Sequence, residues 1–342
     1  MKSDFSLVVA EIVRPRKTGA GCFFLIALVI ATLALSERVV AQKYPERPIR
    51  LIVQSPAGGT ADLIARVIAQ DLGDRLGQSV VTDNRSGAAG TVSAEITANA
   101  TPDGYTLLVA SVSLMAINVT LRAGKISYHP EKDFTHVTLV GKVPLALSVQ
   151  TQFPARTLKE FIALAKAKPG ALNYGSAGIG SSNHIVGELL KTETGIRMSH
   201  IPFKGGAPAM AALLANEIQV YVATVPTIVP MVKAGRIRAI AVSSAVRTAV
   251  LPDAPTVAES GYPGFDVTSW FCIVGPAGIS KTIVARLNKE IASVLNSPAP
   301  RTLLTAAGVN VESTTPEGLS AFVRSEIKKM GEAVRNSGAT VD

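Results

Sequence analysis

Residues 49–76 read IRLIVQSPAGGTADLIARVIAQDLGDRL, and this stretch decides the fold class. Residues 49–54 are a short β-branched run of strand length. Pro56-Ala57-Gly58-Gly59-Thr60 ends it, because proline lacks a backbone donor and paired glycines favour a turn. From residue 61 to 76, Leu63, Ile64, Val67, Ile68 and Leu72 fall on one helical face. Strand, glycine-rich turn and amphipathic helix are the opening of a βαβ unit, and the apolar helix face needs a sheet to cover.

Working outward, the same unit recurs. Residues 79–82 and 106–110 read as strands with a helix at 91–100 between them. Residues 135–140 and 145–149 read as two further strands separated by Pro144. The pattern restarts with a helix at 158–167, a strand at 172–174 and a helix at 185–191. It continues through 199–202, 208–215, 220–223, 228–234 and 237–242. A last strand at 269–275 precedes amphipathic helices at 282–296 and 316–335. Strands alternating with helices of this length predict an α/β protein with parallel-rich sheets flanked by helices. Two stretches read as joints, residues 141–147 and the Pro/Gly/Ala-rich residues 244–266. The expected assembly is two-lobed, with lobe 1 from residues 42–145 and 245–342 and lobe 2 from residues 146–244, connected by two hinge crossings.

Upstream, Arg14, Arg16 and Lys17 precede the apolar run of residues 22–35, and Val39-Val40-Ala41 follows. This is the layout of a cleaved signal peptide, residues 1–41, and predicts export to the periplasm. The run is shorter than the roughly 20 apolar residues of a spanning helix. The chain is net +9, yet its Lys and Arg residues are scattered and do not cluster with aromatics, so no nucleic-acid partner is expected. A basic balance of this kind favours encounter with small anions. Outside the leader Cys272 is the only cysteine, which excludes an internal disulfide there and reads as a buried, inert thiol.

Four turns carry glycine and small residues ahead of a helix. They are Pro56–Thr60, Ser86-Gly87-Ala88-Ala89-Gly90, the run Gly175 to Asn183, and Lys204-Gly205-Gly206-Ala207. A helix N-terminus offers unpaired N–H groups and a positive dipole end, and glycine lets a ligand approach the backbone. Helix capping accounts for any one such turn, whereas four together point to a bound anion. Sharper motifs are missing: Gly178-Ile179-Gly180 has Asn183 where a dinucleotide fingerprint needs its third glycine, and Gly275–Thr282 has Ser280 at the required P-loop glycine. Ser280 reads as a helix N-cap. His129, His136, His184 and His200 lack metal-ligand spacing, and no G-x-S-x-G elbow exists, so no metal, cofactor or catalytic residue is expected. Asp62 either complements its helix dipole or touches ligand. Lys204 either meets a ligand carboxylate or is a solvated loop lysine.

The chain resembles the Bug/TctC extracytoplasmic solute receptors. Tyr44-Pro45, Pro48-Ile49 and Pro56-Ala57-Gly58-Gly59 with Asp62 and Arg66 carry the match at the start. Asn84-Arg85, Pro102-Asp103-Gly104-Tyr105, Tyr174-Gly175-Ser176-Ala177-Gly178, Pro202-Phe203-Lys204-Gly205-Gly206, Pro255-Thr256 and Pro276-Ala277-Gly278 continue it in order. The resemblance implies a Venus-flytrap binding protein, monomeric and without enzymatic activity. Its expected partners are a small organic carboxylate and integral membrane permease subunits. It implies ligand contacts at Ala57, Gly58 and Gly59 in one lobe and at Ser176, Ala177, Gly178, Gly180 and Ser181 in the other, with Lys204 and Gly205 beside them. The chain departs from the pattern where Thr224 follows residues 220–223, a place where members often carry aspartate, and where Gln54-Ser55 replace the usual aromatic. The rival readings are a ligand-sensing receptor for a membrane sensor kinase and an exported hydrolase.

Overall fold

A computed structural model describes residues 44–87 and 90–341. The expected leader, and Ala88 and Ala89 of the second glycine-rich turn, lie outside the described residues. From Pro45 onward the chain is a single compact unit.

Strand β1 (Ile49–Val53) leads through α1 (Thr60–Leu76) to β2 (Val80–Asn84), and α2 (Thr91–Ala98) leads to β3 (Thr106–Ser111). A buried π-helical turn, Ser113–Ile117, runs into the short α3 (Asn118–Leu121). Strand β4 (Phe134–Gln150) is followed by α4 (Leu158–Ala167), β5 (Leu172–Ser176), α5 (Ser182–Thr194), β6 (Met198–Pro202), α6 (Gly206–Leu214), β7 (Val220–Thr224), α7 (Val225–Lys233) and β8 (Ile237–Val242). The chain ends with β9 (Thr268–Pro276), α8 (Lys281–Asn296), α9 (Pro298–Ala306), the two-residue β10 (Asn310–Val311) and α10 (Pro316–Ser337).

Each predicted βαβ series closes into a parallel triplet. β1 lies between β2 and β3, and β5 lies between β6 and β7. Antiparallel strands join the triplets along the path β2-β1-β3-β9-β4-β7-β5-β6, with β8 and β10 also on β4. The sheet is therefore mixed. Strands covered on both faces read as near-continuous apolar runs, and Leu107 to Ala110 of β3 are fully buried. Cys272 is buried in β9, and burial pushes its thiol pKa up, so it stays a thiol.

β4 corrects one expectation. Residues 135–140 and 145–149 are not two strands but parts of one, which pairs first with β9 and β10 and then with β7 and β8. Pro144 does not break it, because Pro144 pairs with Thr268 at the end of β9, where one ladder stops and the next begins at Leu145. A missing N–H is tolerated at such a point. Gly141 marks a register shift in this strand, and a Cβ there would lie 2.5 Å from the Asn310 carbonyl oxygen. Residues 244–266 lack periodicity but are packed: Leu251, Ala254, Val257 and Phe265 are buried, and Val257 N–H donates to the Val242 carbonyl at 2.9 Å.

Helix ends follow local chemistry. Gly77 closes α1 in the left-handed conformation (φ 69°) and donates to the Gly73 carbonyl. Ser280 caps α8 as expected, accepting from Ile283 N–H, and Thr315 caps α10 ahead of Pro316. Sequence reading missed α3, α9, β10 and the π-helical turn.

Candidate ligand-binding cleft

A cavity of about 500 Å³ opens where the C-terminal ends of β1, β2, β3, β5, β6 and β7 meet. This is the position where open α/β sheets hold ligands. Five helices begin at it. Their N-cap residues, Gly59, Gly90, Ser181, Gly205 and Thr224, all line the cavity. Only Ser181 caps with its own side chain, accepting from His184 N–H at 3.2 Å. The other four helices carry no side-chain cap, so their first-turn N–H groups have no cap competing with a ligand for them. Five positive dipole ends around one space favour negative charge there.

The two triplets touch across this space. Thr60 Oγ1, at the start of α1, lies 2.8 Å from Thr224 Oγ1 and 3.3 Å from Thr227 Oγ1, and the latter two are 3.0 Å apart. Ser182 N–H donates to Ser113 Oγ at 3.2 Å, and Arg122 Nη2 donates to the Ile179 carbonyl at 3.3 Å. Gly205 faces Pro56 so closely that a Cβ on it would stand 2.8 Å from the proline ring.

Of the ten residues expected from sequence, Gly59, Ala177, Gly178, Ser181, Lys204 and Gly205 line the cavity. Ala57, Gly58, Ser176 and Gly180 are not among its lining residues. Ala57 and Gly58 face outward, and Gly58 N–H is taken by the Asp62 carboxylate at 3.0 Å. Ser176 is fully buried behind the loop. Its Oγ lies 2.6 Å from His200 Nε2 and accepts Gly178 N–H at 3.1 Å. Gly180 N–H donates to His184 Nδ1 at 3.4 Å. These last two shape the loop from beneath. Gly178 itself sits at φ 121°, where a side chain is strained, with the Phe203 carbonyl 3.1 Å from where a Cβ would be.

Behind that loop the rings of Tyr174, His200 and His184 stack at 4.8 and 4.2 Å. Burial, and then repulsion from His184, pushes His200 down to about 4; burial also lowers His184. Both imidazoles are therefore neutral near pH 7. The Ser176–His200 contact has the chemistry of a nucleophile and its base, but Ser176 has no exposed surface and does not line the cavity.

Asp62 is an organiser of the first loop. Its carboxylate is buried and accepts from Gly58 N–H, Arg66 Nε and Asn84 Nδ2, each at 3.0 Å. Burial alone would raise its pKa, but those three donors outweigh it and hold the carboxyl below its ordinary value of 3.8. A depressed folded-state pKa adds stability above the unfolded value and loses it as pH falls through the folded one. Asp62→Asn is therefore expected to cost about 1–3 kcal/mol at pH 7. The deficit should shrink below pH 3.8. Urea denaturation of both proteins at pH 7 and at pH 3 checks this; an equal deficit at both would show that charge is not involved.

Sequence reading missed Arg122, Thr60 and Thr227. Thr60 belongs to the first glycine-rich turn but is not among the contacts expected there, Thr227 carries no motif, and Arg122 follows a stretch without periodicity. Among the described residues the cavity lining includes no Asp or Glu, and its only Lys or Arg residues are Arg122 and Lys204. Apolar wall comes from Pro56, Phe203, Tyr221 and Phe271. The described residues hold no cluster of metal-ligating side chains and no helix long and apolar enough to cross a membrane.

A mixed α/β chain with an anion-ready cleft at its strand ends fits a solute-binding protein, and similarity to known proteins gives the class. The family described as "Tripartite tricarboxylate transporter family receptor" matches residues 64–339, and the chain belongs to this family, that of the Bug/TctC receptors. It is 36% identical over 315 residues to protein BugT of Bordetella pertussis, covering 92% of this chain and 96% of that one. Its fold matches Rpa4515 of R. palustris, solved with adipate, with a TM-score of 0.84 at 34% identity over 87% of this chain and 99% of that one. It also matches MatC of Rhodopseudomonas palustris, solved with malate, with a TM-score of 0.81 at 33% identity over 85% of this chain and 100% of that one. This is a family of periplasmic substrate-binding receptors and not of enzymes.

Proposed function

We propose that this receptor captures a small organic carboxylate in the cleft and delivers it to the integral membrane permease subunits of a tripartite tricarboxylate-type transporter. The observation that carries the reading is the meeting of five helix N-caps at a cavity lined by two cations and, among the described residues, no carboxylate. The adipate and malate of the two solved relatives support it. In this reading the ligand packs against Gly59, Ala177, Gly178, Ser181 and Gly205; the amides of Gly59, Gly178 and Ser181 are engaged within their own loops, so Ala177 and Gly205 supply the amides that face it. Ala57, Gly58, Ser176 and Gly180 hold those loops in shape. Residues 42–145 with 245–342 form one lobe and residues 146–244 the other. The crossings are β4 near Pro144 and the return through Ser243 and Val267, which are bonded at 2.9 Å. The leader is removed after Ala41, and the mature monomer works in the periplasm.

A thermal-shift screen of the mature protein against a carboxylate library tests this. A ligand present at 100 times its dissociation constant adds about 2.7 kcal/mol to the folded state. At least one small carboxylate is expected to raise the melting temperature by several degrees, while amines and neutral sugars leave it unchanged. A library without any stabilising carboxylate would defeat the reading.

A further inference from the structure

Arg122 is an unusual side chain to find beside this cavity. It follows the four-residue α3 and enters from the β3 side, while Lys204 enters from the β6 side. Lys204 is exposed at the rim, whereas Arg122 is half-buried. A guanidinium offers five N–H donors in a planar fork. Here one of them reaches the Ile179 carbonyl, and Nε is buried with no partner. Arg122 makes no ion pair among the described residues, although the protein forms such pairs elsewhere, as at Arg50 with Asp83 at 2.6 Å. A cation taken out of water without an anionic partner is costly. Five helix N-termini face the cavity and can hold one carboxylate without either side chain. A monocarboxylate held at those N-termini would leave Arg122, the less solvated of the two side-chain cations, without an anion.

The cavity also has room beyond a single carboxylate, at about 500 Å³, and its walls between the polar ends are Pro56, Phe203, Tyr221 and Phe271. Polar group, apolar wall and second cation together describe a ligand charged at two ends. We propose that Arg122 is the specificity-determining residue of the cleft: it receives a second acidic group, so that the protein selects dianionic diacids with an apolar body over monocarboxylates. This rests on the reading of the cleft as a carboxylate site. The second acidic group docks on the Arg122 fork next to Ile179, and because that fork already ties β3-side chain to the β5–α5 loop, binding there also fastens the two sides of the cleft together.

Matched acids test the assignment, because adipate and hexanoate, or terephthalate and benzoate, differ only in whether the far end carries a carboxylate. Isothermal titration of the mature protein is expected to show at least one diacid binding more tightly than its monoacid. Arg122→Gln keeps a donor for the Ile179 carbonyl but removes the charge. It is expected to weaken that diacid about 50-fold or more while changing the monoacid less than about threefold. Added salt is expected to weaken diacid binding more in the parent than in the variant. Arg122→Lys is expected to recover part of the preference, and circular dichroism melts confirm that each variant is folded. Equal losses for diacid and monoacid would make Arg122 a brace between loops and overturn the assignment. A preference abolished by Lys204→Met but kept in Arg122→Gln would also overturn it. A parent that binds monoacids as tightly as diacids would refute the diacid preference while leaving the carboxylate site standing. A parent that binds none of the four acids would overturn the assignment of diacids with an apolar body, whereas the carboxylate reading falls only if the library screen also finds no stabilising carboxylate.

Discussion

Gly205→Val is expected to lower affinity for the captured carboxylate by about 100-fold or more, or about 2.7 kcal/mol. Gly205 stands at φ 118° with Pro56 directly opposite, and the Cδ and Cγ atoms of that ring are each 2.8 Å from the position of an added Cβ. Proline cannot yield by changing rotamer, so the two loops must part. Parting them separates the N-terminus of α1 from that of α6, and with it the potential that holds the anion. The conflict is between loops on opposite sides of the cleft, so the protein can relieve it without unfolding. Calorimetry gives the affinity, and small-angle scattering with ligand present should show a less closed particle than the parent. Gly261→Val is the control. Gly261 has a similar φ of 107° but open space around it, and it does not line the cavity, so it carries the backbone strain without the contact. If Gly205→Val bound like the parent, the approach of the loops would be irrelevant to capture.

The second large effect is on stability. Trp270 is 1% exposed in β9, its Nε1–H donates to Glu326 Oε2 at 2.7 Å, and its ring meets Phe322 edge-on at 5.1 Å. β9 is paired on both sides, by β3 and β4, and Trp270 ties this seam to α10. Trp270→Ala removes the largest side chain of the core, leaves a cavity and strands the Glu326 carboxylate. Urea denaturation is expected to show a loss of about 3–5 kcal/mol. Trp270→Phe should lose less, since it keeps the aromatic contact and gives up only the hydrogen bond. A deficit for the alanine variant within about 1 kcal/mol of the parent would show that α10 is not held through this residue.

The repeating βαβ units were legible in the sequence because each strand and helix carries its own period: the buried Ile64, Ile68 and Leu72 of α1 were visible as a stripe. The glycine-rich turns were legible for a similar local reason, and six of the ten residues chosen from them line the cleft. What escaped depends on contacts between distant residues. β4 reads as two strands because Pro144 is locally a breaker; only its pairing with Thr268 makes it harmless. The amide of Gly58 looks available until Asp62 is seen to occupy it. Thr60 and Thr224 stand out in the sequence for other reasons and Thr227 for none; the three become a cluster only when α1 meets α7. Arg122 lies after a π-helical turn, whose wider period hides it from a search at helical spacing.

β4 also governs the order in which the chain can assemble. Its first half is complete only when Thr268–Pro276 and Asn310–Val311 have arrived, and its second half needs Val220–Thr224 and Ile237–Val242. During synthesis the strand is made long before most of these partners. Pairing across such sequence distances is slow, because loop closure precedes any reward from contact. A fragment ending before Thr268 leaves both β3 and β4 with an open edge, which is the kind of surface that recruits other chains. Nascent protein is therefore at its most aggregation-prone in the interval before the last quarter of the chain is made.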